Sequence, residues 1–347
     1  MKRKTSAMLK IISLFLGLLL LVSLLAACEQ PATEPTPSPT PPAPSPSPTP
    51  TPPAPELSGQ LQIFNAGSLT APFEQISEEF NKIHPGVEIL AEAAGSSTTI
   101  RKVTELGKEC GVIGSADYLL IPELMFPQYA DWYIIFASNQ MVITYADSSQ
   151  FASEITSDNW YEILQREGVT YGRSDPDQDP CGYRTLMVWQ LAEKHYNVPG
   201  IYNNLYGAAG DLMRPKSVDL IALLQSGDLD YAFEYSSVAL QQNLKYVELP
   251  PEINLSDVEF EDFYAQSEVE IAGAKPGEKI LMKGGPIVYA LTIPKNFPRQ
   301  ELAIAWVDLL LSDKGMSIME ANFQTPIIPA KTNDASKLPE LLKKYVE

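Results

Sequence analysis

Leu61-Gln62-Ile63-Phe64-Asn65-Ala66-Gly67-Ser68 opens the stretch of the chain that decides its fold. Leu61 to Phe64 reads as a buried strand, and Asn65 to Ser68 as a turn. Phe73, Ile76, Phe80 and Ile83 then recur at helical spacing, until Pro85-Gly86 stops the helix. Val87 to Ala91 is a second strand, Ala94 to Ser97 a second turn, and Thr98 to Leu106 a second helix. Val112-Ile113 opens a third strand. Such alternation predicts a mostly parallel sheet covered by helices. Open sheets of that kind bind ligands at the carboxyl ends of their strands, where both turns lie.

Toward the C-terminus the rhythm changes. Tyr133 to Phe136 and Met141 to Tyr145 are apolar stretches with no helix between them, which reads as a crossing into a second lobe. Helices are expected around Trp160, at Tyr183 to His195 and at Ser217 to Leu224, with a strand at Leu229 to Tyr235. Ile287 to Ile293, ending at Pro294, reads as the return crossing, and Glu301 to Leu311 and the segment after Lys314 as closing helices. The expected architecture is therefore α/β with two lobes, mainly parallel sheets flanked by helices and a cleft between the lobes. Residues 59–139 and 290–347 form lobe I, and residues 140–289 form lobe II.

Toward the N-terminus the composition changes twice. Lys2, Arg3, Lys4 and Lys10 precede an apolar run, Ile11 to Leu25, that ends in Leu25-Ala26-Ala27-Cys28. Small residues before a Cys at the end of a short apolar run mark a processing site more than a membrane span. Residues 1–27 are read as a lipoprotein signal peptide and Cys28 as the lipidated residue. Residues 28–58 are rich in Pro, Ser and Thr. Proline lacks the amide hydrogen that helices and ladders need. The expected state is polyproline II, a stalk of about 80 Å. The chain is thus expected outside the cytoplasm, anchored to the membrane.

The formal charge is −18, and it becomes more negative once the basic signal is removed. That excludes nucleic acid and anionic membrane surfaces as partners. The two His, His84 and His195, lack metal-ligand spacing, and no phosphate loop or nucleophile elbow is present. Cys110 and Cys181 make no disulfide framework, and whether they pair is open.

Chemistry concentrates in a few segments. Gly67-Ser68 and Gly95-Ser96 each sit between a strand and a helix. Such a turn presents free amides and a hydroxyl to an anion; its ordinary alternative is a Ser that merely caps its helix. Two of them on adjacent strands would converge. Asp175 to Arg184 is a third loop running into a helix, with Asp179 placed to cap it. Glu234 stands in an apolar, aromatic strand, where a carboxylate is costly unless paired; a solvent-facing Glu on an edge strand is the alternative. An acid pair drawn from Asp179, Asp230 and Glu234 would suit a hydrolase, but no spacing supports it.

At Phe64 to Leu69, Glu92 to Ser96, Ile100 to Thr104, Ser115 to Tyr118, Asp179 to Arg184, Phe233 to Tyr235 and Gly285 to Tyr289, the chain resembles the archaeal-type molybdate/tungstate-binding proteins of ABC transporters. The likeness covers nearly all of residues 59–347. It implies a type II periplasmic-binding fold that closes on its ligand, with no enzymatic activity and no cofactor. It implies that Gly67, Ser68, Ser96 and Asp179-Pro180-Cys181 contact the oxyanion, and that Asp179 and Glu234 bind the tungsten or molybdenum centre itself. Glu252 matches a further position near the ligand. Gly111 departs from the family, which has Asp there, and the loop at residues 207–214 is short. The implied partners are an ABC permease and its ATPase, served by a monomeric binding protein. Sulfate or phosphate capture, or a ligand-sensing subunit, are the alternatives. A dianion beside two carboxylates is favourable only if those carboxylates bind its metal centre. Hexavalent tungsten and molybdenum accept further ligands; sulfur and phosphorus do not.

Overall fold

The apolar run at Leu61 becomes the inner strand of a parallel unit. In the computed structural model, which describes residues 57–347, β1 (Ser58–Ala66) pairs in parallel with both β2 (Gly86–Ala94) and β3 (Val112–Ser115). The α1 helix (Thr70–Ile83) and α2 (Ser96–Thr104) return the chain between them. Phe73, Ile76 and Phe80 of α1 are buried, each contributing about 1.5–3 kcal/mol of transfer free energy. Ile83, in the last helical turn, overshoots the sheet and is exposed. The second turn shortens to Gly95 alone, because β2 runs to Ala94 and α2 starts at Ser96.

The chain continues through α3 (Leu120–Met125) and β4 (Ile134–Ser138), then crosses directly into β5 (Met141–Tyr145). Next come α4 (Trp160–Ile163), β6 (Tyr171–Ser174), α5 (Pro180–His195), α6 (Ile201–Leu205), β7 (Asp211–Arg214), α7 (Asp219–Ser226) and β8 (Tyr231–Tyr235). They are followed by α8 (Ser236–Gln241), β9 (Lys245–Glu248), α9 (Glu261–Tyr264) and a hairpin of β10 (Glu268–Ala272) and β11 (Lys279–Lys283). The return strand β12 (Val288–Thr292) leads to α10 (Gln300–Leu311), α11 (Asp313–Ala321) and β13 (Thr325–Thr332).

The strands assemble into two mixed sheets, ordered β13-β4-β12-β3-β1-β2 and β7-β6-β8-β5-β9. This is the two-lobed, type II arrangement that the resemblance implies. Parallel pairing holds in the βα units, β1 with β2 and β3, and β6 with β7 and β8. It does not hold at the crossings. β12 runs antiparallel between β3 and β4, and β5 antiparallel between β8 and β9. A strand that enters a sheet from the other lobe carries no crossover helix, so its direction is set by its partners alone.

Each crossing strand is hydrogen-bonded on both edges, which confines bending to the short connections beside it. At one of them Asn139 donates to Ser237 Oγ of α8 at 2.7 Å and to Tyr289 OH of β12 at 3.0 Å, linking the return strand to the second lobe. At Gly111, which stands where the family has Asp, a Cβ would meet Leu61 Cδ1 at 2.4 Å and Phe297 Cε1 at 2.9 Å, so these side chains occupy the space in this chain. Cys110 and Cys181 are free and buried. Among the described residues no helix is long and apolar enough to cross a membrane. The signal, Cys28 and the stalk as far as Glu56 lie outside the described residues.

Candidate functional site

Asp179 caps α5. Its Oδ1 accepts from the Cys181 amide at 3.2 Å, and Pro180 fills the first helical position, where a missing N–H costs nothing. Its Oδ2 accepts from the Ser217 amide at 2.8 Å. Glu234 lies on β8, between β6 and β5, so the edge-strand alternative is removed. It is fully buried. Its Oε1 accepts from Ser217 Oγ at 2.9 Å and from the Tyr235 amide at 2.8 Å, with Cys181 Sγ at 3.9 Å. Ser217 therefore holds both acids, one through its amide and one through its hydroxyl. Glu234 Oε2 accepts no hydrogen bond from the described residues although it is buried.

Burial dominates the electrostatics. It pushes Asp179 up to about 6, opposed by the amide hydrogen bonds from Ser217 and Cys181. It pushes Glu234 up to about 8; the Tyr235 amide opposes the rise and the Asp179 charge adds to it. Burial, then the charges of Glu234 and Asp179, raise the Cys181 thiol well above its ordinary value, so it is a neutral donor and not a nucleophile. A buried carboxylate oxygen without a partner is costly in a native structure and calls for an explanation. What such an atom can do is supply an electron pair to an electrophilic centre, or carry a proton.

The first lobe faces these acids with its two Gly-Ser turns. Neither Ser is the ordinary cap. Gly95 is the N-cap of α2 and Leu69 that of α1, and neither makes a side-chain capping bond. Ser96 Oγ accepts from the Ala116 amide at 3.0 Å, and Ser68 Oγ accepts from Tyr289 OH at 3.0 Å. Both serines are buried. Gly95 lies against the acid loop of the second lobe: an added Cβ would stand 2.2 Å from Gln178 O and 2.9 Å from Asp179 Cβ. The Thr98 amide reaches Gln178 O at 3.4 Å. A Cβ on Gly67 would meet Val218 at 3.0 Å. The lobes are thus closed on the expected site.

Gly67, Ser68, Ser96, Asp179, Pro180, Cys181 and Glu234 are placed at this closure. Glu252 is not. It follows β9 and is half-buried, in the segment whose Asn254 carbonyl accepts from the Met141 amide at 2.9 Å. Three groups escaped the reading of the sequence. Ser217 binds both acids; its signal was a third Ser at a strand-to-helix turn. Tyr289 supports Ser68. Arg184 pairs with Asp117, its Nη2 at 3.0 Å from Oδ2, across the lobe boundary. Buried hydroxyls of Ser97 and Ser174 also lack partners among the described residues.

Comparison with known proteins gives four findings. The model of the bacterial extracellular solute-binding protein family matches residues 61–323. A solute-binding protein of Petrotoga mobilis is 49% identical over 295 residues, covering 85% of this chain and 92% of that protein. The molybdate/tungstate-binding protein of Pyrococcus abyssi is 43% identical over 317 residues, covering 84% and 90%. Among solved structures, the periplasmic molybdate-binding protein of Azotobacter vinelandii has a TM-score of 0.55 at 16% identity, covering 76% of this chain and 98% of that one. Likeness at that identity concerns the fold alone.

Proposed function

The chain belongs to the bacterial extracellular solute-binding protein family, and from that premise we propose that it captures tungstate or molybdate between its lobes for an importer's permease and ATPase. The family is one of transport binding proteins, not of enzymes, and it acts outside the cytoplasm. Glu234 Oε2 carries the ligand assignment. It is buried, unpartnered among the described residues, and set beside Asp179 where the lobes meet. Asp179 and Glu234 bind the metal centre, while the turns at Gly67-Ser68 and Ser96 and the Pro180-Cys181 segment hold its oxygens. Oriented amides and hydroxyls suffice for those oxygens, each hydrogen bond to a charged oxygen giving about 1.5–3 kcal/mol. The acidic balance of the chain is then no obstacle. The relative from Pyrococcus abyssi, a molybdate/tungstate-binding protein, supports the same ligand class.

A second reading rests on the raised titration of Glu234. A protonated Oε2 would donate to sulfate or phosphate, which need donors. The two readings have opposite pH dependence. A donor is lost above about pH 8, so sulfate affinity would fall from there. A metal ligand must be ionised, so tungstate affinity rises up to about pH 8 and then holds. Calorimetric titration with tungstate, molybdate, sulfate and phosphate decides. Coordination requires that Glu234→Gln weaken tungstate strongly and narrow its margin over sulfate. Unchanged affinity and margin in that variant would end the proposal.

We also propose that residues 1–27 are removed, that Cys28 is lipidated, and that residues 28–58 tether a monomeric body. In this body residues 59–139 and 290–347 form one lobe and residues 140–289 the other. Fractionation of Cys28→Ser tests the anchor: the variant remains unprocessed or leaves the membrane fraction.

A further inference from the structure

Two arginines cross the lobe boundary in opposite directions. Arg101, on α2 of the first lobe, donates through Nη1 to Asp177 O at 3.0 Å, and through Nη2 to Ala272 O at 2.7 Å and Gly273 O at 3.0 Å. All three carbonyls belong to the second lobe. Arg184, on α5 of the second lobe, donates through Nη1 to Ala116 O at 2.7 Å, and its Nη2 lies 3.0 Å from Asp117 Oδ2. Both acceptors belong to the first lobe. Arg184 is buried, and Tyr235 OH stands 2.8 Å from its Nη1. Asp117 Oδ2 also accepts from Tyr183 OH at 2.7 Å, and Oδ1 from the Leu119 amide at 3.0 Å.

Three of these partners, Asp177, Ala116 and Tyr235, lie next to ligand-facing groups. Asp177 is two residues before Asp179. Ala116, whose carbonyl Arg184 holds, gives its amide to Ser96 Oγ. Tyr235 gives its amide to Glu234 Oε1. We propose that Arg101 and Arg184 form a reciprocal clamp that holds the closed cleft and sets how slowly the bound oxyanion leaves, without touching it. When the lobes part, both guanidinium groups and Asp117 regain water, so the clamp adds little to the stability of the open form. In the closed form, removing Arg184 strands a buried charge on Asp117, which is far costlier than losing an exposed pair. Both are positioning residues. Their role rests on the oxyanion reading above.

The experiment compares stopped-flow tungstate association and dissociation for the full-length wild type, Arg184→Gln, Arg101→Gln and Arg184→Gln/Asp117→Asn. Arg166→Gln is the control, since its pair with Glu154 is exposed within one lobe. Dissociation should quicken about thirtyfold in Arg184→Gln and about tenfold in Arg101→Gln, with association within about threefold of wild type. Removing the stranded charge in the double variant should recover part of the loss. Unchanged dissociation rates overturn the clamp. So does a fall in ligand-free Tm as large as the fall with tungstate, which would mean a merely structural role. Wild-type titration tests the ligand assignment separately: if molybdate or sulfate binds and tungstate does not, that assignment fails, and the bound anion serves for the rates. If none binds, small-angle scattering decides. A ligand-free Arg101→Gln/Arg184→Gln variant more open than wild type supports the clamp, and equal radii of gyration overturn it.

Discussion

Replacing Gly95 by Ala should leave the protein folded and stop its cleft from closing. Gly95 has φ −61° and ψ 148°, a conformation that Ala adopts without strain. The added methyl would stand 2.2 Å from Gln178 O, a backbone atom of the opposite lobe. Ordinary contact requires the acid loop to retreat by about 1 Å. That retreat stretches the Thr98 amide to Gln178 O contact at 3.4 Å and the Arg101 to Asp177 O bond at 3.0 Å, and it draws Asp179 off its position. A neutral hydrogen bond contributes about 1 kcal/mol and a charged one about 1.5–3 kcal/mol. The closed form therefore loses about 3 kcal/mol, or about 150-fold in affinity. Calorimetric titration with tungstate measures the loss, and ligand-free Tm should stay within about 2 °C of wild type. An affinity within about threefold of wild type refutes the seat described for Gly95. Equal losses of affinity and of ligand-free Tm would show a folding defect instead.

Three further outcomes follow from the same geometry. Ser217→Ala removes the hydroxyl bonded to Glu234 but keeps the amide bonded to Asp179; tungstate affinity should fall about tenfold, from a loss of about 1–1.5 kcal/mol, and a calorimetric titration reads it. Burial raises Glu234 to about 8 and Asp179 to about 6, so the folded form that buries them favours neutral acids. Their contribution is full below the ordinary carboxylate range and is lost as pH rises through about 6 and then about 8. Calorimetric scans should show Tm falling over that window and a flatter alkaline limb in Glu234→Gln. Trp306→Ala empties a site where the ring packs edge-on against Phe73 at 4.9 Å and Nε1 donates to Ser77 Oγ at 3.2 Å. Urea unfolding should register a loss of about 3–5 kcal/mol, with tungstate affinity of the folded protein within about threefold.

What could be read from the sequence was what is local. The run from Leu61 to Val112 carries its own periodicity, a strand repeat followed by a helical one, so β1, α1, β2 and α2 were legible to within a few residues. Asp179-Pro180 announced a helix start because capping is settled within a few residues. The same locality named Ser68, Ser96, Asp179 and Glu234 as candidates. The four-residue strands β6, β7 and β9 carry too few residues for a period to show, whereas β10 does alternate over Glu268-Val269-Glu270-Ile271 and was within reach of the sequence.

Only the tertiary structure decided the rest, because it depends on partners distant in the chain. Whether Glu234 sits at a sheet edge or in its middle depends on β6 and β5 flanking β8. The direction of β5 and β12 comes from strands in the lobe each one enters. Ser217 reaches Asp179 and Glu234 from a separate loop, a meeting that neither its residue type nor its short-range spacing announced. Residue type and short-range spacing determine which groups can serve. The closure of two lobes, driven by packing and hydrogen bonds between remote segments, determines which of them meet.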